Sequence, residues 1–210
     1  MKMDIPTKAE RFWDRTASHY DRAEEGDQKT FLQIIERSKS HLKASDLLLD
    51  VGCGTGLAAN TLAPAVAEIH AIDISSSMIE IARAKAEKQQ IHNIDYRHAT
   101  VFDDQLKPGA YNVVLCLYLL HLLDDPAQVM QRLYALLKPG GIFISVTPCM
   151  GEKPVQAALF SVLSSIGMTP PIKKFKRTDL ENLISRGGFH IEGCELLTNT
   201  SNQYFVLASR

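Results

Sequence analysis

The amino-acid sequence predicts one doubly wound α/β domain, and three observations carry that expectation. From Leu47 onward, short apolar runs alternate with helical stretches, the order that arises when parallel strands are joined by crossover helices. The first of these runs ends in a glycine-rich turn, Gly52 to Gly56, at the position where open α/β sheets bind ligands. The chain has 210 residues and is 45% hydrophobic, enough for one full core and short for two.

The elements follow in order. An N-terminal arm, residues 1–45, carries the aromatic cluster Phe12, Trp13 and Tyr20 and then Phe31, Ile34 and Ile35 at helical spacing. Leu47 to Val51 reads as the first strand, and the helix from Leu57 is ended with help from Pro64. Glu68 to Ile74 is the second strand. Ser75-Ser76-Ser77 opens a helix to about Gln89, with Ser77 and Glu80 at capping-box spacing. Ile94 to Ala99 and Tyr111 to Leu117 give two more strands, and Pro126 starts a helix to about Leu137. Lys138-Pro139-Gly140-Gly141 is expected to break the chain before the strand Ile142 to Thr147. Residues 46–147 thus form the core, and 148–176 an insertion suited to capping a pocket, with the amphipathic stretch Val155 to Ile166 between prolines. In 177–210, Thr178 to Arg186 reads as a helix, and Phe189 to Leu197 with Gln203 to Ser209 as a closing antiparallel hairpin.

Composition narrows the function. The net charge of −1 offers no overall basic field for nucleic acid or anionic membranes, so a small-molecule partner is expected. The segment Met1 to Glu10 lacks the apolar stretch of a signal peptide, and the apolar run Val113 to Leu123 is well short of the roughly 20 residues that span a bilayer. With Cys53, Cys116, Cys149 and Cys194 far apart, reduced thiols, a cytoplasmic location and no metal site are expected.

The glycine turn is the richest motif. Gly52, Gly54 and Gly56 let the backbone turn sharply and approach a ligand closely. A nicotinamide or flavin fingerprint needs its third glycine at position 57, where Leu57 stands, and no Gly-Lys-Ser/Thr follows for a P-loop. Asp50 before the turn repels a pyrophosphate and attracts a cation, which favours the sulfonium of S-adenosylmethionine. Asp73, at the end of the second strand, is suited to accept hydrogen bonds from both hydroxyls of a ribose, or to cap the following helix.

The segments LLLDVGCGTG (Leu47 to Gly56), AIDIS (Ala71 to Ser75) and LKPGG (Leu137 to Gly141) resemble the signatures of class I S-adenosylmethionine-dependent methyltransferases. The similarity runs from about Arg11 to Thr147. It is greatest to small-molecule enzymes of the ubiquinone/menaquinone type, which carry an N-terminal segment like FWDRTASHYD (Phe12 to Asp21). The resemblance implies a Rossmann-like, seven-stranded, mostly parallel sheet with an N-terminal helical lid. It further implies that Gly52 and Gly54 line the methionine part, Asp73 binds ribose, Ile74 packs on adenine, Tyr20 closes over the cofactor and Leu117 supplies backbone near the methionine end. Thr100 and Asn112 stand where the family usually has Asp, so altered adenine contacts are expected, with Thr100 and the Val101 N–H taking part.

A sulfonium is already a good leaving group, so catalysis consists mainly of placing the acceptor and, where necessary, removing a proton. His121, just past the fourth strand, and His19, in the lid, are the candidate general bases. Trp13, Phe12 and Tyr118 are candidates to wall an acceptor pocket. The basic run Lys173, Lys174, Lys176 and Arg177 keeps an RNA methyltransferase as an alternative, beside a cofactor-binding scaffold without turnover. The acceptor itself and the oligomeric state are not written in the sequence.

Overall fold

The computed structural model describes residues 7–24, 28–165, 169–198 and 201–210. Two helices come first, α1 (Lys8–Glu24) and α2 (Gln28–Lys39). The start of α1 is held by reciprocal bonds: the Thr7 hydroxyl accepts the Glu10 N–H at 3.1 Å and the Glu10 carboxylate accepts the Thr7 N–H at 3.2 Å.

Seven strands follow, β1 (Leu47–Val51), β2 (Glu68–Asp73), β3 (Ile94–His98), β4 (Tyr111–Leu117), β5 (Leu137–Pro148), β6 (His190–Leu196) and β7 (Gln203–Ser209). They form one sheet in the order β3-β2-β1-β4-β5-β7-β6, in which β1 to β5 are parallel and β7 runs antiparallel to both β5 and β6. The order reverses between β1 and β4, and a crevice opens beyond their carboxyl ends.

The sheet is buried on both faces, which is why its central strands read as continuous apolar runs rather than as alternating ones. Neighbouring residues go to opposite faces. Leu49, Val114 and Cys116 pack under α5 (Pro126–Leu136) and α7 (Arg177–Arg186), through Leu133, Leu136, Leu180 and Ile184. Leu48, Val113 and Leu115 pack under α2, α3 (Leu57–Leu62) and α4 (Ser76–Lys88), through Ile34, Ile35, Ala59, Leu62 and Ile79.

Two expectations are corrected. The N-cap of α4 is Ser75, whose hydroxyl accepts the Met78 N–H at 3.2 Å, and not Ser77, which already lies inside the helix. Lys138 to Gly141 does not break the strand. β5 is continuous there because the register against β4 shifts from Tyr111↔Leu137 to Val113↔Ile142, so the extra residues bulge outward. The carbonyl and N–H of Arg210 pin this bulge at Gly140 and Gly141. The amphipathic stretch forms α6 (Pro154–Ser165), its expected last residue Ile166 lying outside the described residues. No described residue of 148–176 is among those that line the main cavity. No helix among the described residues is long and apolar enough to cross a membrane.

Gly56 is a packing constraint at the sheet's edge. Its φ is +80°, and an added Cβ would lie 2.4 Å from the Tyr96 hydroxyl and 2.9 Å from the Ala82 Cβ. Gly56→Ala is therefore expected to cost roughly 2–4 kcal/mol of stability, read from denaturant unfolding. Gly109→Ala, where φ is +65° but nothing lies within 4 Å, is expected to cost only about 1 kcal/mol.

Candidate functional site

The turn from β1 into α3 is built by three glycines in the left-handed region, Gly52 at φ +72°, Gly54 at +53° and Gly56 at +80°. Two N–H groups of the turn, those of Gly52 and Cys53, are held by the Ile72 carbonyl of β2 at 2.8 and 3.0 Å. A third, that of Gly54, donates to Asp73 Oδ2 at 2.9 Å. Asp73 Oδ1 accepts the Ser75 N–H at 2.9 Å. Each carboxylate oxygen thus spends one lone pair on the backbone and keeps another for a ligand.

Beyond the turn lies a cavity of about 270 Å³. Gly52, Gly54, Asp73 and Ile74 line one side, Thr100, Val101 and Phe102 the next, and Leu117 to Leu119 with Leu122 and Leu123 the far wall. Helix α1 closes the top with Ala9, Trp13 and Tyr20, and the nearest atom to a Cβ built on Gly54 would be Tyr20 Cε1 at 3.8 Å. Trp13 and Tyr20 meet edge to face, 6.2 Å between ring centres.

Polar contacts far apart in sequence hold α1 in place. Asp14 Oδ1 accepts the Ser75 hydroxyl at 2.6 Å and the Ser77 N–H at 3.2 Å, so a helix side chain caps the start of α4. Burial pulls the Asp14 pKa up, but these bonds and the nearby His98 outweigh it and hold the group below its ordinary value. Glu10 pairs with His98 Nε2 at 3.3 Å, and the same nitrogen lies 2.8 Å from the Ile74 carbonyl.

Behind the turn sits a second carboxyl. Asp50 is fully buried, and its Oδ2 has no hydrogen-bond partner among the described residues. Burial, followed by the charge of Asp73, pushes its pKa up to about 7. Asp73 is also raised by burial, against the lowering bonds from the Ser75 and Gly54 N–H groups. A carboxyl at the cavity and a second one enclosed behind the turn, in a low dielectric, favour a positively charged occupant. The site fits the expected cofactor on these grounds: a cradle with no side chain at Gly54, a carboxylate with two spare lone pairs, and a buried orphan oxygen behind them.

The residues expected from sequence divide clearly. Tyr20, Gly52, Gly54, Asp73, Ile74, Thr100, Val101 and Leu117 all line the cavity. Asp50 does not; it lies one residue deeper along β1, where its side chain is enclosed, and acts on the cavity only through its charge. Asn112 stands at the opposite end of β4 from the cavity, where its Oδ1 accepts the Leu47 N–H at 3.1 Å and the Lys138 ammonium at 2.9 Å. Its departure from the usual Asp therefore bears on strand pairing and not on adenine, which corrects the expectation.

Neither candidate base lines the cavity. His19 is on the exposed side of α1, 2.7 Å from the Ser18 hydroxyl. His121 lies in the single 3-10 turn Leu120–Leu122, where Leu122 and the preceding Leu119 take the wall positions. Burial pushes the His121 pKa down to about 4, and its Nδ1 has no partner among the described residues. Sequence reasoning missed Asp14, Glu10 and Ser75, whose roles depend on contacts of α1 with the start of α4 and the end of β3, and the wall residues Leu119, Leu122, Leu123 and Val129, which read as ordinary core.

Comparison with known proteins agrees with this geometry. Residues 49–145 match a methyltransferase domain model. A ubiquinone biosynthesis O-methyltransferase of Acinetobacter baylyi is 36% identical over 104 residues, 49% of this chain and 44% of that protein. One of Xanthomonas euvesicatoria is 31% identical over 144 residues, 65% of this chain and 56% of its own length. The chain therefore spans about half the length of the curated relatives it matches. In fold, it is similar to a SAM-dependent methyltransferase of Aquifex aeolicus, at a TM-score of 0.69 and 16% identity over 90% of this chain and 97% of that one. It is likewise similar to one of Methanosarcina mazei, at a TM-score of 0.67 and 18% identity over 81% and 95%.

The raised Asp50 pKa has a stability consequence whose sign is fixed. The folded protein binds this proton more tightly than the unfolded chain, so the ligand-free protein loses stability as pH rises from about 4 to about 7. Asp50→Asn removes that loss. The variant is expected to melt several degrees above the parent at pH 8, at about 2–4 °C per kcal/mol, and close to it near pH 4. Thermal melts without ligand at the two pH values check this.

Proposed function

We propose, from the premise that the chain belongs to the class I S-adenosylmethionine-dependent methyltransferases, that its cavity holds S-adenosylmethionine and passes the methyl group to an oxygen of a small, largely apolar acceptor. The observation that carries this reading is the Gly54–Asp73 cradle, in which both carboxylate oxygens are aimed by backbone N–H groups and the cavity side is left open to a diol.

When bound, S-adenosylmethionine supplies an electrophilic methyl on a positively charged sulfur. The rest of the work falls to the chain's own residues. Asp73 holds the ribose hydroxyls, Ile74 and Val101 flank the base, and Thr100 offers a hydroxyl at the same end. Gly52, Gly54 and the backbone at Leu117 receive the methionine part, with the charges of Asp50 and Asp73 favouring its cationic groups. Trp13 and Tyr20, anchored through Asp14 and Glu10, exclude water from above.

The far wall supports an apolar acceptor. Leu119, Leu122, Leu123 and Val129 offer no polar side chain, whereas Tyr118 brings a hydroxyl that is oriented by Gln203 Oε1 at 3.1 Å. The relatives' name, ubiquinone biosynthesis O-methyltransferase, is the ground for placing the transfer on oxygen and on a quinone-type molecule. Placement of the acceptor is the main catalytic contribution. A histidine base is disfavoured, because His19 is exposed and an imidazole held near pKa 4 is a weak proton acceptor at neutral pH.

We assign the whole of 1–210 to one methyltransferase unit, with 46–147 as the cofactor core, 1–45 as the N-terminal arm, 148–176 as an insertion or pocket cap and 177–210 as the closing helix and hairpin. The unpaired cysteines Cys53, Cys116, Cys149 and Cys194 favour a reducing compartment, the cytoplasm.

Calorimetric titration with S-adenosylhomocysteine tests the cradle. Asp73→Ala is expected to weaken binding at least about 100-fold, since two charge-assisted hydrogen bonds of roughly 1.5–3 kcal/mol each are lost. Binding unchanged in a folded variant would remove Asp73 from the site. Incubation with methyl-labelled S-adenosylmethionine and a cell extract is expected to put label into the lipid-soluble fraction. Label in RNA alone, or none in any fraction, would contradict the acceptor class.

A further inference from the structure

The order of the strands places the base end of the cavity. Gly52 follows β1 and Leu117 ends β4, Asp73 ends β2, and the segment 99–102 follows the end of β3. With the strands in the order β3-β2-β1-β4, a ligand whose ribose lies at Asp73 carries its base towards β3. There the cavity is lined by Ile74, Met78, Ala99, Thr100, Val101 and Phe102. This segment is held to the strand that bears the ribose carboxylate. The Ala99 N–H donates to the Asp73 carbonyl at 3.0 Å, and Arg132 Nε donates to the Val101 carbonyl at 2.9 Å.

The base end carries no carboxylate. Among the described residues Asp73 is the only charged one that lines the cavity, and of the six at the base end only Thr100 has a polar side chain. Its hydroxyl accepts the Phe102 N–H at 3.3 Å. Acids of the neighbouring segments are engaged elsewhere: Asp103 Oδ1 accepts the Gln105 N–H at 2.7 Å, Asp95 pairs with Arg97, and Glu10 pairs with His98. The exocyclic amino group of an adenine therefore meets no anionic acceptor here, and the charge-assisted hydrogen bond that would select it is missing.

Apolar surface stands in its place. Phe102 is 46% exposed, and of the five exposed large apolar side chains among the described residues it alone lines the cavity. Thr100 is exposed as well, so the cavity opens to solvent at this end. An aromatic ring at such a mouth offers a stacking face to a purine and to a group attached to it, whichever hydrogen-bonding groups the purine carries. We propose, on the reading that S-adenosylmethionine is the cofactor, that the chain recognises the base by apolar enclosure and by stacking on Phe102, and not by its amino group. The site therefore admits cofactors enlarged at the exocyclic nitrogen.

Calorimetric titration of the full chain tests this with S-adenosylhomocysteine, its analogue lacking the exocyclic amino group, and its derivative carrying a benzyl group on that nitrogen. The analogue is expected to bind within about threefold of S-adenosylhomocysteine, and the benzyl derivative at least as tightly as S-adenosylhomocysteine. Phe102→Ala is expected to weaken binding of the benzyl derivative about tenfold while leaving the thermal melt unchanged, because the side chain is half exposed. Thr100→Asp installs a group that only accepts hydrogen bonds. It is expected to create a preference of about tenfold for S-adenosylhomocysteine over the analogue, which the parent lacks. Binding of either modified ligand to the parent about 30-fold more weakly than S-adenosylhomocysteine would overturn the proposal. Equal binding of the benzyl derivative by the parent and by Phe102→Ala would also overturn it. No binding of S-adenosylhomocysteine itself would overturn the cofactor reading and the proposal with it, whereas a loss confined to the modified ligands overturns the proposal alone.

Discussion

Two carboxyls beside one glycine turn, Asp50 buried behind it and Asp73 facing the cavity, set the terms for the rest of the molecule. Asp50 is the penultimate residue of β1 and Asp73 ends β2, and parallel pairing of these strands, Asp50 opposite Ala71 and Val51 opposite Ile72, brings both to the same side of the turn. Burial alone makes such a pair costly, and the charge of Asp73 raises the proton affinity of Asp50 further. Asp73 is relieved by two backbone N–H groups, whereas Asp50 keeps an orphan oxygen. The proposed cationic ligand would offset part of this electrostatic cost. A dinucleotide cofactor would add negative charge where the chain already has too much of it.

The arm above the cavity answers to the same place. Asp14 caps α4 at Ser75 and Ser77, and Ser75 is the residue whose N–H aims Asp73. Ser75 and the Asp14 carboxylate thus connect the position of α1 to the orientation of the Asp73 carboxylate. The His98–Glu10 pair adds a second fastening, by a His98 nitrogen that also lies beside the Ile74 carbonyl. The placement of α1 over the cavity and the orientation of Asp73 are in this sense one arrangement.

What was legible in the sequence follows from how local each signal is. β4 and β7 run from Tyr111 to Leu117 and from Gln203 to Ser209, as their apolar runs and flanking polar residues indicate, because burial on both faces leaves no ambiguity of register. The cavity lining from Gly52 to Val101 was legible too, since it sits at strand ends that the pattern locates. Contacts between distant segments were not. Asp14 looked like one charge among many on a helix, although its partners are more than 60 positions away. Asn112 was read by its alignment with a family position, while its depth along β4 gives it a structural task. Lys138 to Gly141 carries every mark of a turn, yet β5 runs through it as a bulge, which Arg210, at the far end of the sequence, holds to the sheet.

The central claim is that the turn and its two carboxyls recognise a cationic sulfonium ligand. Calorimetric titration with S-adenosylmethionine and with its uncharged-sulfur product, at pH 6.5 in two buffers of different ionisation enthalpy, measures this directly. Asp50 is partly protonated at that pH, so the account predicts net proton release on binding S-adenosylmethionine, and less release with S-adenosylhomocysteine. Equal proton exchange for the two ligands, or proton uptake with S-adenosylmethionine, would contradict it.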